Sequence, residues 1–220
     1  MQTFATAAPI TAVLDIPAGR VRLIAADRTD TVVEIRPADP AKNRDVRSAE
    51  QTTVTHADGV LRIQAPENGK ALLGAGSVEV TVRLPAGSRV EGRAAACELR
   101  VVGRLGDLAF DGAYRHTKID EAANVHLTAT DGDIGIGRLT GTADLTTARG
   151  DIHVTEAHHG TLTLTTRAGN ITVGAATGVS ATLDAGTAHG RTHNSLRNDG
   201  TPTLDIRATT SHGDITARSL

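Results

Sequence analysis

The sequence predicts an all-β protein: a parallel β-solenoid with two short strands per rung of about 17–23 residues, folded as two packed sheets. Three observations carry this. Four segments repeat one pattern: VHLTATDGDIGI from Val125, ADLTTARGDIHV from Ala143, LTLTTRAGNITV from Leu162 and IRATTSHGDITA from Ile206. Each is an alternating apolar stretch, a turn ending in glycine, and a second alternating stretch. The turn position then recurs at Cys97, Arg115, Gly132, Gly150, Gly169, Gly190 and Gly213, with spacings of 18, 17, 18, 19, 21 and 23 residues. Finally, only 1% of the chain is aromatic (Phe4, Phe110 and Tyr114, with no Trp), so the interior must be narrow enough for Val, Leu, Ile, Ala and Thr to fill.

The columns of this alignment have strand periodicity. Seven before the turn stand Val90, Leu108, Val125, Ala143, Leu162, Leu183 and Ile206. Five before it stand Gly92, Phe110, Leu127, Leu145, Leu164, Ala185 and Ala208. Two after it stand Leu99, Thr117, Ile134, Ile152, Ile171, Thr192 and Ile215. Four after it stand Val101, Ile119, Ile136, Val154, Val173, Asn194 and Ala217. These mostly apolar columns face inward, and the mixed columns between them face solvent. A rung with one wet face per strand cannot bury its apolar side alone, so neighbouring rungs must supply the core. Stacked in sequence order, the six steps from Cys97 to Gly213 would make a rod segment roughly 29 Å long at about 4.8 Å per step.

The turns have their own chemistry. Glycine reaches positive φ without a Cβ clash, and the Asp or Asn that often follows is a turn former. Thr147, Thr166, Thr187 and Thr210, three before the turn, form an inward column expected to bond to one another or to turn backbone. Cys97 and Arg115 depart from glycine, and those rungs are expected to bulge.

The N-terminal part is less regular. Residues 13–24 repeat the strand–turn–strand form about Gly19, and TVVEIRP, TTVTHADGVLRIQ and SVEVTVRLPAGSRVEG read as further strands. Residues 37–50 are the one candidate for a short helix or long loop. Residues 66–76 form a second irregular connection, and residues 191–202 look like a loop insertion. Nothing reads as a linker. The expected organisation is one β-solenoid domain over 1–220, with less regular strands in 1–89 and regular rungs in 90–217.

The phrase VTVRLPAGSRVEG, from Val80 to Gly92, followed by Gly-Asp-Ile at Gly132, Gly150 and Gly213, resembles a bacterial β-strand-repeat family labelled "putative adhesin", whose function is unknown. The resemblance covers nearly the whole chain. It implies a β-solenoid and no common catalytic residue, and it implies no ligand.

Composition bounds function by exclusion. The net charge is −2 and no basic run exceeds two residues, which argues against a nucleic-acid partner. The lone Cys97 permits no internal disulfide and fits a reducing compartment. No signal peptide or transmembrane stretch is evident, so the expected location is cytoplasmic, with peripheral association to the envelope as the alternative. Nine histidines tempt a metal reading, with His153 and His193 sharing an outward column, His189 and His212 just before turns, and His158 beside His159. No ligand spacing joins them, and by rung count His153 and His193 would lie roughly 10 Å apart. Turn aspartates Asp131, Asp133, Asp151 and Asp214 lack the Gly-Gly-x-Gly-x-Asp pattern of calcium-binding rolls. No positioned acid–base pair is visible. GIGRLTG, from Gly135, leads into a strand rather than the helix a nucleotide loop needs, and only Thr163-x-Thr165 suits an outward Thr array.

The expectation is therefore a non-enzymatic structural or interaction module, with no catalytic, cofactor or metal residues and no cofactor. Its partner would be a protein, either a second copy or another chain. The last rung runs close to the C-terminus without a cap, which suggests self-association through that end. The alternatives are a small-molecule or metal-binding protein using His and Asp near the turns, and a polysaccharide-active enzyme.

Overall fold

The computed structural model describes residues 1–65 and 76–220. The elements in chain order are β1 (Gln2–Ala5), β2 (Thr11–Ala26), β3 (Asp30–Pro37), α1 (Asn43–Gln51), β4 (Thr53–Ala57), β5 (Val60–Gln64), β6 (Val78–Pro85) and β7 (Arg89–Asp131). After these come β8 (Ile134–Leu139), β9 (Ala143–Arg149), β10 (Ile152–Ala157), β11 (Gly160–Ala168), β12 (Ile171–Ala175), β13 (Ala181–His189), β14 (Thr192–Ser195), β15 (Leu204–His212) and β16 (Ile215–Ser219). The solenoid is as expected, with α1 in the predicted helical stretch. The expected connection at 66–76 lies almost wholly outside the described residues. Thr192–Ser195, read as part of a loop insertion, is strand β14.

From β2 onward the rungs pair in parallel, residue for residue with their column mates. Two features differ from the expectation. The strands form one continuous hydrogen-bonded network rather than two separate sheets, because β2 and β7 each run through the corners as one unbroken strand. The N-terminal end also carries antiparallel pairs: β3 on β6, β1 on β3, and β4 on β5. The β4–β5 turn is Asp58–Gly59, both at positive φ, the geometry that matches a hairpin's twist.

The rung order is the main correction. β15 pairs with β11 on one side and β13 on the other, and β16 pairs with β12 and β14. The β15–β16 rung thus slots between the two rungs that precede it in sequence, and β13–β14 forms the end of the rod. Burial explains the exchange. Leu204, Ile206, Ala208, Ile215 and Ala217 on the inserted rung are buried, whereas Thr192 and Asn194 on the end rung are exposed. An isoleucine stack, Ile134–Ile152–Ile171–Ile215, runs up the core and stops at Thr192. In sequence order Thr192 and Asn194 would be covered on both sides without obvious partners, and the apolar rung would face water on one side. Placing the poorest rung last avoids both costs. The end rung then meets water with polar side chains, as terminal repeats require.

The inward columns form one continuous core of small and medium side chains. Its one aromatic, Phe110, fits because its column neighbour is glycine: a Cβ at Gly92 would fall on the Phe110 ring.

The corner is held by three ladders. A Cβ on Gly150, Gly169, Gly213 or Gly190 would strike the carbonyl of the glycine one rung below: Gly132, Gly150, Gly169 and Gly213 respectively. The threonine column bonds to turn backbone, not to itself. Thr166 donates to Gly150 O at 3.1 Å, Thr210 to Gly169 O at 3.0 Å, and Thr187 to Gly213 O at 3.0 Å. On the other flank, Asp133 accepts from Asp151 N at 2.9 Å, Asp151 from Asn170 N at 2.7 Å, Asn170 from Asp214 N at 2.8 Å, and Asp214 from Arg191 N at 2.8 Å. All three ladders follow the exchanged rung order.

Two predictions follow from this packing. Gly92→Val should destabilise the protein by about 1–3 kcal/mol through overpacking against Phe110. Combining it with Phe110→Leu should recover part of that loss in urea unfolding, whereas additive losses would refute the shared space. For the rung order, cysteines at positions 189 and 212 should form a disulfide under mild oxidation, since adjacent strands place Cα atoms within the roughly 4.4–6.8 Å a disulfide spans. A pair at 168 and 189, one strand further apart, should not cross-link. The reverse pattern on non-reducing gels would restore sequence order.

Candidate functional site

The residues flagged in the sequence are largely kept apart or already engaged. The rung exchange places both Thr172 and Thr216 between His153 and His193. They stand three steps apart, about 14 Å, rather than two. The same exchange brings His189 and His212 together, with ring centroids 4.8 Å apart and a 21° interplanar angle. Sequence spacing concealed that pair because 23 residues separate its members. Other histidines lie beside carboxylates: His126 with Asp144 at 3.5 Å, His116 with Asp133 at 3.6 Å, and His158 with Glu156 at 3.2 Å, the last without the alignment of a hydrogen bond. Among the described residues, no three His, Cys, Asp or Glu side chains are grouped to hold a metal ion. Asp133, Asp151 and Asp214 are the acceptors of the turn ladder.

The site that the sequence did not reveal lies where the glycine ladder lapses. Cys97 and Arg115 occupy consecutive turn slots. Cys97 stays in β7 as extended backbone in register with Gly19, its side chain buried. Arg115 takes φ +68°. That left-handed conformation costs a residue with a Cβ roughly 1–2 kcal/mol, and strain of this kind tends to sit at functional positions. The anticipated distortion is therefore real at Arg115 and absent at Cys97.

Beside this corner is a cavity of about 450 Å³. Its floor includes Ala18 of β2 and Ala96 of β7, paired neighbours on adjacent rungs. Tyr114 and Arg115 line it, together with Lys42, just before α1, and Arg44, in its first turn. Tyr114 is the one exposed aromatic of the three. The Arg115 guanidinium lies 5.8 Å from the Tyr114 ring centroid, a cation–π distance. α1 is pinned in place by Asp45, whose buried carboxylate accepts from Ser77 N at 3.0 Å.

The lining is charged yet balanced. Arg20 contacts Glu79 at 3.0 Å and Glu98 at 3.3 Å, Lys42 contacts Asp39 at 3.0 Å, and Arg44 lies 3.6 Å from Asp45. The Lys42 ammonium, with the Ala41 N–H, holds the Asp39 carboxyl below the usual carboxylate range. Four cations face four carboxylates, and since Arg20 serves two of these, Arg115 is left with no anionic partner among the described residues.

A rung repeat stacked in parallel about a narrow aliphatic core defines this protein as a β-solenoid. More specifically, it belongs to the Toastrack DUF4097 family, whose profile matches residues 15–218. No curated protein matches the chain. The solved structures it resembles include the following three. One is a "putative adhesin" from Bacteroides fragilis NCTC 9343, at 12% identity over 98% of this chain and 95% of that one, with a TM-score of 0.46. Another is a "putative lipid binding protein" from Parabacteroides distasonis ATCC 8503, at 11% identity over 98% and 95%, with a TM-score of 0.44. The third is a "putative cell adhesion protein" from Clostridium sporogenes ATCC 15579, at 13% identity over 100% and 98%, with a TM-score of 0.35.

Two measurements test this corner. Burial pushes the Cys97 thiol up to about 12, so it stays protonated far above neutral pH. Native protein at pH 8 should resist iodoacetamide and react only in urea, and stoichiometric labelling of the native state would contradict the burial. Arg115→Gly should raise stability by about 1 kcal/mol by relieving the left-handed strain, seen as a higher Tm; a lower Tm would show that Arg115 contributes packing that outweighs it.

Proposed function

We propose that the protein is a non-enzymatic interaction module, a single rigid β-solenoid unit over residues 1–220 that presents its outward sheet faces to a protein partner. The observation that carries this reading is the engagement of the turn polar groups. The aspartates and threonines of the regular glycine corners hydrogen-bond to the backbone of the neighbouring rung. The repeat chemistry therefore serves rigidity, and variety is left to the outward columns. One such column runs Thr128–Thr146–Thr165–Thr209 in register along the rod, beside another of His126, Asp144, Thr163 and Arg207. A flat polar surface of this kind suits a partner of matching polarity.

Both ends disfavour end-to-end growth. The far end is the polar β13–β14 rung, in which Thr192 and Asn194 offer a second copy no apolar column to continue and the four-residue β14 is a short edge. The near end is covered by the antiparallel strands β1, β3 and β4. A partner would then engage the faces, and a second copy would have to do likewise. Among the described residues no helix is long and apolar enough to cross a membrane. We propose a cytoplasmic location, with peripheral attachment to the envelope through the partner as the alternative.

Native co-purification from source cells, with soluble and membrane fractions kept apart, tests both points. A stoichiometric protein partner is expected, and its fraction fixes the location. Isolation of the chain alone from both fractions, after cross-linking in the intact cell, would overturn the reading.

A further inference from the structure

We propose that the cavity over Ala18 and Ala96 binds a small sugar acid, a pyranose carrying one carboxylate, of the uronate or sialate class. Charge sets the first limit. Every lining carboxylate has a cation within 3.6 Å, whereas Arg115 has no carboxylate partner among the described residues. A ligand with one carboxylate would give Arg115 the anionic partner it lacks. A phosphate dianion would bring a second charge towards Glu79, Glu98, Asp39 and Asp45 with no cation left to meet it. Guanidinium and carboxylate are matched in geometry, since both are planar and can form two parallel hydrogen bonds.

The rest of the lining suits the body of a sugar. Tyr114 offers the chain's one exposed aromatic ring to the C–H face of a pyranose. Ala18 and Ala96 keep the floor low, so a ring can lie across two rungs beside it. The carboxylates of Glu79 and Glu98 share one guanidinium, which leaves them acceptor positions for sugar hydroxyls. Arg44, set 3.6 Å from Asp45, keeps donors for hydroxyl oxygens. The volume of about 450 Å³ falls within the usual range for small-ligand sites. The positive φ of Arg115 fits the same purpose. A glycine there, as on the regular rungs, would relieve the backbone and remove the guanidinium that has no carboxylate partner among the described residues.

The test is titration calorimetry with saturation-transfer NMR at low salt, using glucuronate, N-acetylneuraminate and glucose. Glucose shares the glucuronate ring and carries a neutral hydroxymethyl group in place of the carboxylate. At least one acid should bind, with glucose weaker by about tenfold or more. Arg115→Gly should abolish the preference for the acid while the protein stays folded by circular dichroism. Arg115→Asn, which tolerates the left-handed region, should do the same. Tyr114→Ala should weaken acidic and neutral sugar alike. Three results would each overturn the proposal: no binding of either acid at millimolar concentration, equal binding of glucose and glucuronate, or unchanged affinity in both Arg115 variants.

Discussion

The structure depends on how closely successive turns approach. Parallel strands stack at about 4.8 Å, and at the corner this brings the Cα of one turn against the carbonyl of the turn below. Only a residue without a Cβ fits that contact from Gly132 onward. Once the turns are that close, the rest of the corner follows. A threonine three residues earlier is within reach of the carbonyl below, and a carboxylate one residue later is within reach of the next amide. Each rung satisfies its neighbour's turn backbone, which would otherwise be partly buried without partners.

This explains which features were legible in the sequence. Rung contents follow from periodicity, and the core columns, the glycine corner and the threonine column could all be read in one dimension. Rung order could not. Every rung shares one register, so exchanging two of them leaves every column intact. The signal was in the residue types: Thr192 and Asn194 break two apolar columns, while Ile215 and Ala217 restore them one repeat later. Read as energetics rather than as weak matches, those four residues place β13–β14 at the end. The stacked His189–His212 pair, invisible at a spacing of 23 residues, is a by-product of the same exchange.

The exchange also affects folding. β13 and β14 gain their parallel partners only when β15 and β16 arrive, so the end of the rod is completed by contacts distant in sequence. Such contacts close late because loop entropy must be overcome first. The loop from β14 to β15 is held against Ser180, whose carbonyl accepts from Thr203 N and Leu204 N and whose hydroxyl accepts from Asp199 N. Three bonds at one residue fix the point from which the inserted rung enters. The order is thus set by local anchoring as well as by burial.

The same constraint indicates where a ligand site could arise. Inward columns must stay apolar, and the polar groups of a regular corner are already bonded to the next rung. A lapse in the ladder is one place where a solenoid of this kind can open a concave, polar, partly unsatisfied site. It does so at Cys97 and Arg115, where α1 and a neighbouring rung meet over small side chains. The sequence showed the lapse, but the consequence needed α1, more than fifty residues earlier, to be folded over the same corner. The strained Arg115 backbone and the guanidinium without a carboxylate partner among the described residues are one feature seen twice. A residue that keeps its Cβ in a slot suited to glycine brings a charge where the regular repeat brings none.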